Sequence, residues 1–152
     1  MKRLTLTTLL TICFIFCFAD QRKINFCRDW QLHYPASAHK YAGTTKTVTL
    51  PRAWNEDFAY KVGIAQLPDD TCRYVKTFTA PMQWKGKKVF IEFEGVRQCA
   101  EVWLNGHRLG MHENGVMAFG FDLTPYIIPG KENRIDVLTD NDWAYKEKAT
   151  GS

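Results

Sequence analysis

Glu92 and Glu94 stand two residues apart in the run "KVFIEFEG". In an extended chain that spacing places both carboxyl groups on one face, about 7 Å apart by strand rise. Paired carboxyl groups can cleave a glycosidic bond with retention when they lie about 5 to 5.5 Å apart across the bond. Two glutamates on the wet face of a half-buried strand are the ordinary alternative, and the wider spacing favours it. Glu92 and Glu94 are therefore expected to be solvated, and no residue is assigned a catalytic role.

Other reactive types give no stronger pattern. His107 and His112 could meet a metal, yet they differ in parity along one strand, which predicts opposite faces and surface positions. Ser37 and Ser152 have no surrounding motif that would activate a hydroxyl. Gly106, Gly110 and Gly115 read as turn residues, without the strand, glycine-rich loop and helix that phosphate binding requires. Neither a metal site nor a cofactor is expected.

The segment "AWNEDFAYKVGIAQLPDD" is different, because it gathers aromatics, carboxylates and a lysine in one long loop. Trp54, Phe58 and Tyr60 could stack on sugar rings, while Asp57 and Lys61 bind hydroxyl groups. Alternatively, the aromatics pin the loop to the core. Asp57, Tyr60 and Lys61 are the candidate substrate-binding residues, with carbohydrate as the partner.

These residues must be positioned by strands, since helical periodicity is nearly absent. "TKTVTLP" sets Val48 and Leu50 against threonines, and Pro51 ends the strand by removing an amide donor. "CRYVKTFTAP" puts Tyr74, Lys76 and Phe78 on one face. "KVFIEFEG" aligns Val89, Ile91 and Phe93, and "GFDLTPYI" aligns Phe119, Phe121 and Leu123. Thr124 followed by Pro125 predicts an N-cap and one helical turn over 125–128. "NRIDVLTDN" supplies a last strand with Ile135 and Val137 inward.

The strongest local signal is "CAEVWLNGHRLG". Asn105 and Gly106 fit a two-residue type I′ hairpin loop, in which both residues take φ > 0. Ala100, Val102 and Leu104 point one way, Glu101 and Trp103 the other. A strand with large residues on both faces suits a sheet covered on both sides. Short strands joined by unequal loops predict an all-β jelly-roll sandwich of two antiparallel sheets, with the segment from Trp54 to Thr71 crossing between sheets. An up-and-down barrel is the alternative.

Length and composition set the frame. The 152 residues suffice for one domain with a real core. Lys2 and Arg3 precede an apolar run from Leu4 to Ala19, short for a membrane span, so residues 1–19 are expected to be a secretory signal peptide. Removing them takes two from the 20 basic side chains and leaves 18 against 16 acidic ones. No basic stripe is present to neutralise phosphates, so nucleic acid is not an expected partner. The expected location is periplasmic or extracellular, without a membrane span after signal removal. Cys27, Cys72 and Cys99 match no zinc or redox spacing, and Cys72 and Cys99 fall in strand-like runs that suit buried free thiols.

The stretch "VFIEFEGVRQCAEVWLNGHRLGMHENGVMAFGFDLTPYIIPGKENRIDVLTDN" resembles the N-terminal sugar-binding domain of the family two glycoside hydrolases. That family includes β-galactosidases, β-glucuronidases and β-mannosidases. The resemblance is carried by Phe93 to Val96, Ala100 to Gly106, Gly110, Phe121 to Thr124, Pro129 to Asn133, and Asp140 with Asn141. Upstream, "DWQLHYP", "VTLPRAWN" and "CRYVKTF" follow in the family's order. The resemblance implies a jelly roll over residues 20–152, lacking its last strand or strands. It implies immunoglobulin-like and catalytic barrel domains as partners in cis, with both catalytic glutamates on the barrel. The function it implies is that of an accessory domain of an exported retaining exo-glycosidase, with β-galactosidase the first expectation. A stand-alone carbohydrate-binding module and a purely structural sandwich are the alternatives.

Overall fold

The computed structural model describes residues 22–56 and 69–142. Eight strands are present in this part of the chain: β1 Trp30–His33, β2 Thr45–Val48, β3 Thr71–Thr79, β4 Phe90–Phe93, β5 Cys99–Leu104, β6 His107–Glu113, β7 Phe119–Asp122 and β8 Glu132–Asp140. They form a six-stranded sheet in the order β2-β1-β3-β8-β5-β6 and a two-stranded sheet of β4 and β7. Every pairing among them is antiparallel. The fold is the expected all-β sandwich of two antiparallel sheets.

The large sheet is organised around β3 and β8, which pair along their full nine residues from Thr71↔Asp140 to Thr79↔Glu132. Cross-strand partners share a face, so the register writes the core in rows. One row runs Leu32, Tyr74, Val137, Val102, and the next contains Trp30, Ile135 and Leu104. All seven are buried, and Ile91 and Leu123 from the small-sheet side close over them. Alternation in "NRIDVLTDN" and "CAEVWLNG" thus translates directly into burial. Lys76 shares this face and is buried too. Its ammonium donates to the Arg28 carbonyl and lies 4.8 Å above the Phe26 ring, so the charge is satisfied while its stem packs inside.

Several expectations are corrected. The segment leaving β2 returns to β3 in the same sheet, on the far side of β1, instead of crossing between sheets. The predicted helical turn is shorter and capped otherwise. A turn covers residues 124–126, Asp122 Oδ1 accepts from the Thr124 amide, and the Thr124 hydroxyl is engaged by the Val89 amide at 2.9 Å. Finally, Gly110 lies inside β6 and not in a turn.

Gly110 marks a β-bulge. Trp103 pairs with Arg108 but Val102 pairs with Gly110, so Leu109 is an extra residue on β6. The insertion shifts the face of everything beyond it. His107 opposite Leu104 and His112 opposite Ala100 therefore lie on the same, core-facing side, contrary to their parity. His112 stacks on Phe119 at 4.2 Å and His107 on Tyr126 at 4.4 Å. The missing Cβ at Gly110 is equally purposeful, since one built there would lie 2.6 Å from Phe121 Cε1.

The hairpin tip has the expected form, with φ of 50° at Asn105 and 82° at Gly106. On the outer face Trp103 is half-buried between its neighbours Arg108 and Asp136. Those two residues pair with Glu101 and Arg134 respectively. Cys72 and Cys99 are buried and Cys27 is partly buried, and none of the three forms a disulfide among the described residues. Burial pushes the Cys72 thiol up to about 12.

Candidate sugar-contact site

The candidate residues Asp57, Tyr60 and Lys61, with Phe58, lie outside the described residues. The segments on either side of them in the chain are described. On the entering side Trp54 is buried at 4% exposure, so it is a core pin and not a stacking platform. Tyr74, on the inner face of β3, donates its hydroxyl to the Arg52 carbonyl at 2.8 Å. The Arg52 guanidinium reaches Glu56 at 3.2 Å. Position 57 is thus preceded by an anchored stem.

On the returning side, the start of β3 meets the end of β8. The Asp70 amide donates to Asn141 Oδ1 at 2.9 Å, and Asn141 Nδ2 approaches Asp69 Oδ1 at 3.4 Å. Asp70 Oδ1 accepts from the Thr71 amide at 2.7 Å. The neighbouring Ser37 hydroxyl, helped by that amide, holds the Asp70 carboxyl below the usual carboxylate range against a smaller opposing effect of burial. The Asp140 carbonyl accepts from the amide of buried Gln98 at 2.7 Å, and Asp140 Oδ1 accepts from the Asp142 amide at 2.8 Å. One end of the sheet therefore collects Asp69, Asp70, Asp140, Asn141 and Asp142. Carboxylates and a carboxamide held by backbone contacts are the groups that take hydroxyl donors from a sugar.

Glu92 and Glu94 lie elsewhere and do not converge. Glu92 is exposed on β4 and its carboxylate is 2.9 Å from Lys23, while Glu94 is exposed beyond the end of the strand. Among the described residues no three His, Cys, Asp or Glu side chains group as metal ligands, and no helix is long and apolar enough to cross a membrane.

Sequence reasoning missed a second polar assembly, at the hairpin tip. Asn133 is 1% exposed and makes four hydrogen bonds, to Asn105 Nδ2, to both the amide and carbonyl of Ile128, and to the Lys131 carbonyl. Asn105 in turn joins Tyr126 and Arg134. The available signal was an asparagine at an inward position of an otherwise apolar strand pattern, which demands satisfied partners.

The family comparison bears on the whole of this arrangement. Residues 20–149 match the model of the glycosyl hydrolases family 2 sugar-binding domain. The chain belongs to this family. A beta-glucuronidase of Formosa agariphila is 54% identical over 136 residues, covering 82% of the chain and 14% of that protein. A beta-galactosidase of Thermoanaerobacter pseudethanolicus is 37% identical over 125 residues, covering 78% of the chain and 17% of its own length. A solved beta-glucuronidase from glycoside hydrolase family 2 superposes with a TM-score of 0.65 at 40% identity, over 78% of this chain and 14% of that one. The chain thus spans about a seventh to a sixth of the relatives it matches. The Asp140–Asn141 end and the hairpin tip belong to a family two sugar-binding domain.

Proposed function

We propose that this domain serves an exported retaining exo-glycosidase, in which it borders the sugar pocket and stabilises a catalytic barrel in cis. One barrel glutamate attacks the anomeric carbon and another protonates the leaving oxygen. Export rests on residues 1–19, with removal before Asp20. The observation that carries the reading is the 54% identity to a protein named beta-glucuronidase. It favours a β-glucuronide over the β-galactoside first expected, for which the support is the 37% identical relative. A cation in the loop fits the same choice, because Lys61 can pair with a uronate carboxylate and a galactoside offers none.

Variants of the whole protein test this. Tyr60→Phe removes a hydrogen bond worth about 0.5 to 1.5 kcal/mol, or roughly 2- to 13-fold in kcat/KM, and Asp57→Ala removes a charge-assisted one worth about 1.5 to 3 kcal/mol. Lys61→Ala removes a charged contact worth about 1.5 to 3 kcal/mol and should cost a glucuronide more than a galactoside. Melting temperature should not move for these three. Wild-type kcat/KM on both sugars in all three variants would sink the pocket assignment.

A further inference from the structure

A solvent-open cleft of about 290 Å³ lies between the β3–β4 and β7–β8 connections, lined by Trp84, Lys85, Lys87, Lys88, Ile127 and Pro129. Its first wall is a short 3-10 turn, Met82–Trp84, continued by a β-turn that the Lys87 amide closes onto the Trp84 carbonyl at 3.0 Å. Lys85 has φ −57° and ψ 124° and Gly86 has φ +75°, which is a type II turn. Only glycine takes the second position without strain, so "WKGKK" sets an aromatic and three cations around one bend.

The opposite wall is tied to the first. The Val89 carbonyl accepts from the Leu123 amide at 2.8 Å, and the Val89 amide donates to Thr124 Oγ1. Gly130 and Ala80 are joined by a 2.7 Å backbone bond, and Asn133 holds Ile128 from beneath. The cleft is therefore formed before any ligand arrives, which lowers the ordering cost of binding.

Its chemistry is asymmetric. Trp84, Ile127 and Pro129 supply an apolar floor, with Trp84 half-buried. Lys88 is paired with Asp122 at 3.3 Å, but exposed Lys85 and Lys87 make no ion pair with another described residue. An indole takes the apolar face of a pyranose ring, and two unpaired ammonium groups take anionic substituents on it. We infer that this cleft binds an acidic glycan, a sugar chain bearing carboxylate or sulfate groups, through segments other than residues 57–68. It rests on the carbohydrate role proposed above, but not on which glycoside is hydrolysed.

Calorimetry on the whole chain tests it, with hexagalacturonate as the carboxylate probe, dextran sulfate as the sulfate probe and maltohexaose as the neutral one. At least one acidic probe binds, maltohexaose binds far more weakly, and raising salt from about 0.05 M to about 0.5 M weakens the acidic complex. The tighter acidic probe identifies the substituent. Lys85→Glu with Lys87→Glu lowers that affinity about tenfold or more, with an unchanged melting temperature. Trp84→Phe retains binding, which separates stacking from folding should Trp84→Ala be unstable. Equal affinity in the double glutamate variant, equal binding of maltohexaose, or equal binding of duplex DNA or anionic vesicles would overturn the inference. Turnover of small aryl glycosides is scored separately, so absence of glycan binding by the unsubstituted protein with intact turnover contradicts only this cleft.

Discussion

Asn133→Ala removes four hydrogen bonds at a position 1% exposed, between the hairpin tip and the β7–β8 connection. Asn105 Nδ2 keeps the Tyr126 carbonyl as a partner, so its loss is partial. The Ile128 carbonyl keeps the Lys131 amide at 3.2 Å and the Lys131 carbonyl keeps the Ala80 amide at 3.1 Å, so only the Ile128 amide is left to find water. At about 1 to 3 kcal/mol for that amide, and about 1 kcal/mol in all for the three bonds whose other ends keep partners, the total is about 2 to 4 kcal/mol. A domain holds only about 5 to 15 kcal/mol in all. For a domain of this size, about 4 °C per kcal/mol converts the loss to roughly 8 to 16 °C in Tm. Thermal unfolding followed by circular dichroism measures it. Asn133→Leu keeps the branched heavy-atom skeleton and loses the same bonds, and should still fall by about 6 °C or more. A drop below about 4 °C in both variants would refute the view that this amide locks the tip.

Gly110→Val should destabilise by about 1 to 3 kcal/mol, because its Cβ would enter the Phe121 ring and force that side of the core to move; urea midpoints comparable to wild type would mean that the bulge relaxes freely. Asp70 has a folded-state pKa below its unfolded value, so its stabilising effect is present near neutrality and is lost as pH falls through the folded value. Urea midpoints of Asp70→Asn should therefore be lower than wild type near pH 7 and converge with it in acid. Parallel curves across that range would show that the Ser37 and Thr71 contacts do not discriminate the ionised form.

Alternation made most of the sandwich legible. Val102, Leu104, Ile135 and Val137 are inward as their spacing requires, and Asn105–Gly106 turns as its residue types require. The bulge escaped because a single inserted residue has no local signature beyond Gly110, yet it brings the two histidines to one face. The path from β2 back to β3 escaped for another reason. Partner choice within a sheet is decided by packing over the whole molecule, and a loop's length does not say which sheet receives it. Asp122, and not Thr124, caps the turn because the Thr124 hydroxyl is taken by Val89 across the small sheet, a competition only the tertiary structure reveals. Of the candidate site, the aromatic Trp54 was open to two readings, and its burial decides for the core. The contact between Asp70 and Asn141 joins residues 71 apart, a distance at which sequence pattern is silent.

The central claim is that this sandwich acts as the sugar-binding domain of a larger β-glycosidase. The most direct measurement compares the protein encoded by the full gene with residues 20–149 alone, on p-nitrophenyl β-glucuronide and β-galactoside. The full protein should turn over both glycosides, the glucuronide faster, and residues 20–149 neither. Hydrolysis by residues 20–149 alone, or failure of the full protein on both glycosides, would contradict that claim.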